Sequence, residues 1–370
     1  MLDIKTTFNN VEESGISKDV PLSFPISNSD VTRAGDVIRS CMESSNLDTK
    51  REEEFTNALL ILRKYRENHA PCLKIFSNLL KEKLERLEVD QESIVGSRTK
   101  RLESISMKLV RFPSTRLSQM EDIVGIRVTL PNMQAVERFI NDREICEIYN
   151  SDYIENDART NNYISKPKPD GYRGIHQIFK CKVDNKIFRL ELQIRTKVQH
   201  EWATIVEILG SLYKASFKAG EGDKRYLRFL ELTSVLFSIE ENAPVISSYA
   251  ELTSTEICTK LNALEKELKV IEKLKSVNSI NLLGKSTEAK YYLIQLDLES
   301  RETRVLHYFD GKKANENYYR LEKTYKGSDK FDVVLVSVDD VNKIEEAYPN
   351  YFLDSDSFIN RYNKLLAKYS

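Results

Sequence analysis

The stretch KPKPDGYRGIHQIF (Lys166–Phe179) gathers Lys166, Lys168, Arg173 and His176 around Tyr172, on a loop shaped by two prolines and two glycines. A ring held there can stack a nucleobase, a contact worth about 1–3 kcal/mol, while the lysines meet that nucleotide's phosphates. The same tyrosine could equally cover the edge of a core. His176 alone reads as structural, because no HxxxH or HExxH spacing accompanies it.

Ten residues downstream of His176, KIFRLELQIR (Lys186–Arg195) alternates cleanly. Phe188, Leu190, Leu192 and Ile194 share one face; Arg189, Glu191, Gln193 and Arg195 share the other. That polar face reads either as the solvated side of an antiparallel sheet or as the floor of a polyphosphate site. In such a site carboxylates hold Mg²⁺ and arginines neutralise phosphate oxygens. A second carboxylate is then needed, and Asp122 at the mouth of DIVGIRVTL is the candidate. Strict alternation puts Asp122 on the side of Val124, Ile126 and Val128, so it serves only from a strand end or a bulge.

A third segment, VGSRTKRLESISMKLVR (Val95–Arg111), reads as a helix. Leu102, Ile105, Leu109 and Phe112 form its buried stripe, and Arg101, Ser104, Lys108 and Arg111 the opposite one. Arg98 and Lys100 are expected at its N-terminus, where free N–H groups suit anions. A charged stripe is also what an ordinary surface helix carries.

These segments need a frame. Residues 1–29 read as a polar lead-in, and helical periodicity runs from Asp30 to about Leu87, broken at Pro71. Phe55, Leu59, Leu62 and Tyr65 mark one apolar stripe; Leu73, Phe76, Leu80, Leu84 and Leu87 mark the next. DIVGIRVTL and a hairpin of YRGIHQIFKCKV with KIFRLELQIR, turning at Asp184–Asn185, supply strands. A helix is expected from Lys197 to about Lys218, then helices through 226–277. KYYLIQLDL, TRVLHYF and FDVVLVSV read as strands of a second αβ unit, with NENYYRLEKTY a helix between them and two helices closing the chain. The fold class is therefore α+β: a mixed sheet flanked by helices, plus a small C-terminal α/β domain on a helical connector. The expected boundaries are 1–29, 30–225, 226–285 and 286–370.

The 370 residues carry 56 basic and 57 acidic side chains, so any basic site must be local. Five scattered cysteines without CxxC spacing favour reduced thiols in the cytoplasm over a zinc site. No apolar run is long enough for a membrane span, and MLDIKTTFNN lacks a signal-peptide pattern.

Taken together, SRTKRLESI, EDIVGIRV, KPKPDGYRGIH and ELQIRTKVQHEWA, in this order, resemble the RelA/SpoT synthetase domain across about residues 50–220. The resemblance implies a nucleotidyltransferase-like fold and transfer of the β,γ-pyrophosphate of ATP to a 3′-hydroxyl, with Mg²⁺ as cofactor. It implies that Arg98, Lys100, Ser104 and Lys108 hold ATP and that Asp122 and Glu191 bind metal and carry catalysis with Tyr172. Lys166, Lys168, Tyr172, His176, Gln193 and Arg195 would hold the acceptor.

The common acceptor in that family is GTP or GDP, giving the alarmone (p)ppGpp; a toxic subgroup modifies the 3′ CCA end of tRNA. The C-terminal unit resembles the fused antitoxin of CapRel-like members, in which a pseudo-zinc-finger masks the nucleotide site until a phage capsid protein binds. Tyr348 and Tyr351 in YPNY fit its Tyr-x-x-Tyr pattern, and no cysteine follows Cys258. Plain packing explains such tyrosines equally well. The tRNA acceptor is the expected one, helped by ten Lys/Arg against six Asp/Glu over residues 72–116. A (p)ppGpp-forming enzyme and a non-catalytic nucleotide or phage-protein sensor are the alternatives.

Overall fold

Capping and apolar periodicity set the helical layer of the N-terminal third. Helix α1 (Asn28–Glu43) opens on a capping box made by Ser27 and Asp30. Asp48 caps α2 (Thr49–Glu67), and Pro71 sits in the first turn of α3 (Ala70–Arg86), where its missing N–H costs nothing. Phe55, Leu62, Tyr65, Phe76, Leu80 and Leu84 are buried, as their spacing predicts. The structure is a computed structural model and describes residues 26–44, 46–142, 154–183, 186–213, 215–217, 220–275, 280–283, 289–325, 328, 330–337, 344–352 and 354–370.

The layer covers one side of a nine-stranded mixed sheet. Its strands are β1 (Ile94–Thr99), β2 (Val124–Leu130), β3 (Ile154–Asn162), β4 (Ile175–Val183), β5 (Lys186–Thr196), β6 (Ile280–Leu283), β7 (Tyr291–Asp297), β8 (Glu302–Tyr308) and β9 (Phe331–Ser337), in the order β3-β4-β5-β2-β1-β9-β7-β8-β6. Pairings are antiparallel except β2 with β5 and β6 with β8. The hairpin β4–β5 forms in the expected register, with Ile178 opposite Glu191; its turn, Asp184–Asn185, lies outside the described residues.

Two expectations fail here. Arg98 does not start a helix: it lies on β1, opposite Gly125 of β2 and Val336 of β9. Helix α4 begins only at Leu102 and runs to Arg111, leaving Lys100 in the connection. Ile94, Val95 and Thr99 are β-branched and favour the strand. Within α4, Ile105 and Leu109 are buried, but Phe112 is 51% exposed because the helix has already ended. Second, strand β2 starts at Val124, so Asp122 precedes it and alternation does not fix its direction.

Helix α5 (Met133–Asn141) follows β2. Helices α6 (Lys197–Tyr213) and α7 (Lys224–Glu240) lie on the other side of the sheet, followed by α8 (Ser254–Leu268) and α9 (Val270–Lys275). Beyond them the C-terminal strands continue the same sheet through β9 on β1, with Ser97 opposite Ser337. Helix α10 (Gly311–Thr324) packs on the α1–α4 side, where Leu293, Tyr318 and Val333 form a small separate cluster. Short helices α11 (Ile344–Ala347) and α12 (Pro349–Phe352) and the longer α13 (Asp356–Tyr369) join the α6–α7 core instead. The short strand β6 and the extra turn that splits α11 from α12 are absent from the sequence expectation. Cys41, Cys72, Cys181 and Cys258 are free and buried; Cys146 lies outside the described residues.

Candidate functional site

Register places the polar groups on one face. Glu191, Gln193 and Arg195 of β5 pair with Gly125, Arg127 and Thr129 of β2, and Arg98 and Gly96 of β1 lie opposite Gly125 and Arg127. Paired residues point the same way. The apolar set Phe188, Leu190, Leu192 and Ile194 is buried on the opposite side, as expected.

Asp122 is held by two ammonium groups. Lys100 Nζ lies 2.9 Å from Oδ2 and Lys108 Nζ 2.9 Å from Oδ1. Burial alone would raise this carboxyl; Lys100 and Lys108 overcome it and hold Asp122 below the usual carboxylate range. Lys108 reaches Asp122 from α4, and the Lys100 backbone N–H bonds Ile123 O at 2.8 Å. Ser104 on the same helix is half-buried.

Beside this lies a surplus of cations. Arg98, Arg127 and Arg195 face one another across β1, β2 and β5. Burial, followed by the charge of Arg195, pulls the Arg127 guanidinium down to about 10, with Glu207 opposing and Arg98 adding to the fall. Arg127 Nε is buried without a hydrogen-bond partner. A crowd of like charges with an unfilled donor suits an anion. The sequence reading passed over Arg127, although it is the one charged side chain in VGIRVTL.

The second half is a hydrogen-bonded chain. Arg195 Nη2 donates to Tyr172 Oη at 3.0 Å and to Gln193 Oε1 at 3.2 Å. Tyr172 Oη lies 2.5 Å from His176 Nε2, and His176 Nδ1 lies 2.9 Å from Glu191 Oε1. Gln193 Nε2 donates to Glu191 Oε2 at 2.7 Å. With the imidazole neutral, the phenol proton points at Nε2 and the Nδ1 proton at Glu191. Burial pushes Glu191 up, yet His176 and Gln193 keep it below its ordinary value, while the charge of Asp122 acts in the opposite direction. Asp122, just before β2, and Glu191 on the neighbouring parallel strand β5 thus feel one another, and both are ionised at neutral pH.

Tyr172 is half-buried. Gly171 (φ +93°) and Gly174 (φ +155°) fold its loop inward, and the Tyr172 N–H bonds Asp170 Oδ1 at 2.9 Å. Its ring meets Tyr163 and His176 edge-on and carries Arg195 at 5.0 Å and Lys168 Nζ at 5.2 Å from its centre. Lys166 is exposed and Lys168 half-buried.

The C-terminal segment covers the Arg98 side. Tyr348 and Tyr351 are 2% and 1% exposed. Tyr348 Oη donates to Ser97 O at 2.8 Å, and Arg127 Nη1 reaches Ala347 O at 3.5 Å. Arg101 is paired with Asp332, and Glu322 Oε1 accepts from the Leu102 N–H at 3.3 Å while Oε2 lies 3.4 Å from Arg66 Nη1. The segment therefore touches the cation cluster through Tyr348 and Ala347, and the neighbouring Arg101, Leu102 and Arg66 through Asp332 and Glu322.

One face of the mixed sheet thus combines two carboxylates held below their ordinary range with a set of converging cations. Comparison with known proteins is specific on the region concerned: residues 97–216 match the family described as a region found in RelA / SpoT proteins. The chain is 29% identical over 189 residues to the GTP diphosphokinase CRSH1, chloroplastic, of Oryza sativa subsp. japonica, covering 50% of this chain and 31% of that one. It is 32% identical over 121 residues to the GTP pyrophosphokinase YwaC of Bacillus subtilis, covering 30% and 53% respectively. The chain thus spans between about a third and about half the length of these two relatives. Among solved structures, the small alarmone synthetase 1 of Bacillus subtilis bound to its product pppGpp matches at TM-score 0.40 and 20% identity, covering 49% of this chain and 93% of that one.

Proposed function

We propose that this chain transfers the β,γ-pyrophosphate of ATP to a nucleoside 3′-hydroxyl and that its C-terminal segment holds it inactive. The observation that carries the reading is the pairing of a Lys-held Asp122 with the Tyr172–His176–Glu191 chain beside Arg98, Arg127 and Arg195. In this reading Arg98, Arg101, Arg127, Lys100 and Lys108 grip the triphosphate, with Ser104 beside them. Lys166, Lys168, Tyr172, His176, Gln193 and Arg195 hold the acceptor nucleotide. Glu191 takes the proton from the 3′-hydroxyl as its oxygen bonds the β-phosphorus, the bond from that phosphorus to the α,β-bridging oxygen breaks, and AMP leaves. Positioning and charge neutralisation supply the catalysis.

The donor chemistry of the site suits Mg²⁺: Asp122, just before β2, and Glu191, midway along the adjacent β5, are carboxylate oxygen donors. They would hold the ion, which when bound would neutralise charge on the transferred phosphates.

The covering of Arg98 and Arg127 by Tyr348 and Ala347 supports autoinhibition. In the fuller proposal the acceptor is the 3′ CCA end of tRNA, the product stops translation, and a phage capsid protein lifts the segment. The names of the relatives favour GTP or GDP as acceptor instead. The test is incubation of γ-labelled ATP with GDP, GTP or bulk tRNA, using the full chain and its Tyr348→Ala/Tyr351→Ala variant. Label on tRNA in the variant alone supports the guarded toxin; label on GDP or GTP identifies an alarmone synthetase. No transfer to any acceptor by either protein rejects the activity.

A further inference from the structure

Helix α7 ends against the usual rule. Its last turn holds no basic residue, and Glu240 and Glu241 stand where the helix dipole disfavours negative charge. Glu241 is also buried, with its side chain 6% exposed. A buried carboxylate at a helix C-terminus persists only with strong partners. They come from the two segments that build the acceptor side. Arg173 Nη1, on the loop beside Tyr172 and 1% exposed, donates to Glu241 Oε2 at 2.5 Å. Thr196 Oγ1, next to Arg195 at the end of β5, donates to Oε1. Gln199 Nε2 donates to Oε2 at 3.3 Å and its Oε1 accepts from the Thr196 N–H at 3.2 Å. The same helix makes a second tie, Ser234 Oγ donating to Gly171 O at 2.5 Å.

We propose that Glu241 is a positioning residue for the acceptor loop: by clamping Arg173 to Thr196 it fixes Tyr172 and His176 relative to Glu191, Gln193 and Arg195. Glu241 lies beyond residues 97–216, so the clamp joins the matched region to a helix outside it. Arg173 points away from Tyr172 into the α7 side, and neither it nor Glu241 touches the reacting groups. The clamp sets where the tyrosine hydroxyl sits, and with it the hydrogen bond that the Glu191 carboxylate receives. The inference rests on the pyrophosphotransfer reading only for what the loop binds, not for the clamp itself.

The test uses the full chain with Tyr348→Ala and Tyr351→Ala, with and without Glu241→Gln, and Thr196→Val as a milder second variant. Amide hydrogen exchange at Gly171 and Tyr172 is expected to accelerate by about tenfold or more, the scale of one lost charge-assisted bond, while Ile126 and Val128 stay protected. GDP and a CCA-ended RNA hairpin serve as acceptor probes and a non-hydrolysable ATP analogue as donor probe. Affinity for whichever acceptor probe binds the parent should fall by a similar factor, with the ATP analogue unchanged. Unchanged exchange at 171–172 in both variants overturns the proposal, as does equal loss of donor and acceptor binding with a matching fall in melting temperature. If neither acceptor probe binds the parent, the functional reading fails, and the exchange data still decide the clamp.

Discussion

The covering of the cation cluster by Tyr348 can be tested as a graded series. Tyr348 contributes a buried ring and one hydrogen bond, to Ser97 O at 2.8 Å. Tyr348→Phe removes only the hydrogen bond, worth about 1 kcal/mol. Tyr348→Ala also removes the ring, and large-to-small aromatic changes in cores cost about 3–5 kcal/mol. If these energies hold the segment shut, the open fraction rises about fivefold for Phe and by a few hundred- to a few thousand-fold for Ala, at about 1.4 kcal/mol per factor of ten. The apparent affinity for a donor nucleotide scales with that fraction until the open state dominates. Calorimetric titration with a non-hydrolysable ATP analogue in the presence of Mg²⁺ measures it directly. The expected order is parent weakest, Phe intermediate, Ala strongest. Equal affinities across the series, with α11 and α12 shown by hydrogen exchange to be loosened in the Ala variant, would refute the reasoning that the segment competes with the nucleotide.

Three further outcomes follow from particular contacts. Asp122 has a carboxyl held below its ordinary 3.8, so its contribution to stability is present above that pH and fades as the pH drops through the depressed value. Asp122→Asn should therefore lower the urea midpoint at pH 7 and lower it progressively less as the pH is taken below 3.8; an equal loss at every pH would place its role outside the ion pairs. Glu322→Gln should cost about 3–5 kcal/mol in urea unfolding, because it leaves the Arg66 guanidinium, 1% exposed, without its charge partner. A loss under about 1 kcal/mol would show the pair to be dispensable. Gly171→Ala puts a Cβ at φ +93° and 2.8 Å from the Trp202 ring; a cost of about 1–3 kcal/mol in thermal unfolding is expected, and none would argue against a tightly set loop.

How far the sequence could be read varied with the range of the contacts. Local period was enough to mark β2, β4 and β5 as strands and to sort the faces of β5, and the Asp184–Asn185 turn signal joined β4 to β5, so the grouping of Glu191, Gln193 and Arg195 was legible. It failed at Arg98, where RTKRLES carries helical charge spacing but the preceding IVGSRT is committed to a strand by pairing with β2 and β9. The pairing of β1 with β9 joins residues about 240 apart in sequence, and nothing in either strand's pattern names its neighbour. Tyr172 was legible as a residue on a special loop but not as a hydroxyl wired to His176, because two positive-φ glycines turn it inward. Arg127 announced itself as a lone charge in an apolar strand and was passed over. Glu241 had a weaker signal, an acidic pair at a helix end.

The central claim is tested most directly by product analysis of the Tyr348→Ala/Tyr351→Ala protein with ATP, Mg²⁺ and each acceptor, beside the same protein carrying Glu191→Gln. The account predicts AMP released in equal amount to pyrophosphorylated acceptor, and neither product from the Glu191→Gln protein under conditions where circular dichroism shows it folded. Release of ADP in place of AMP, or AMP formed equally well without the Glu191 carboxylate, would contradict it.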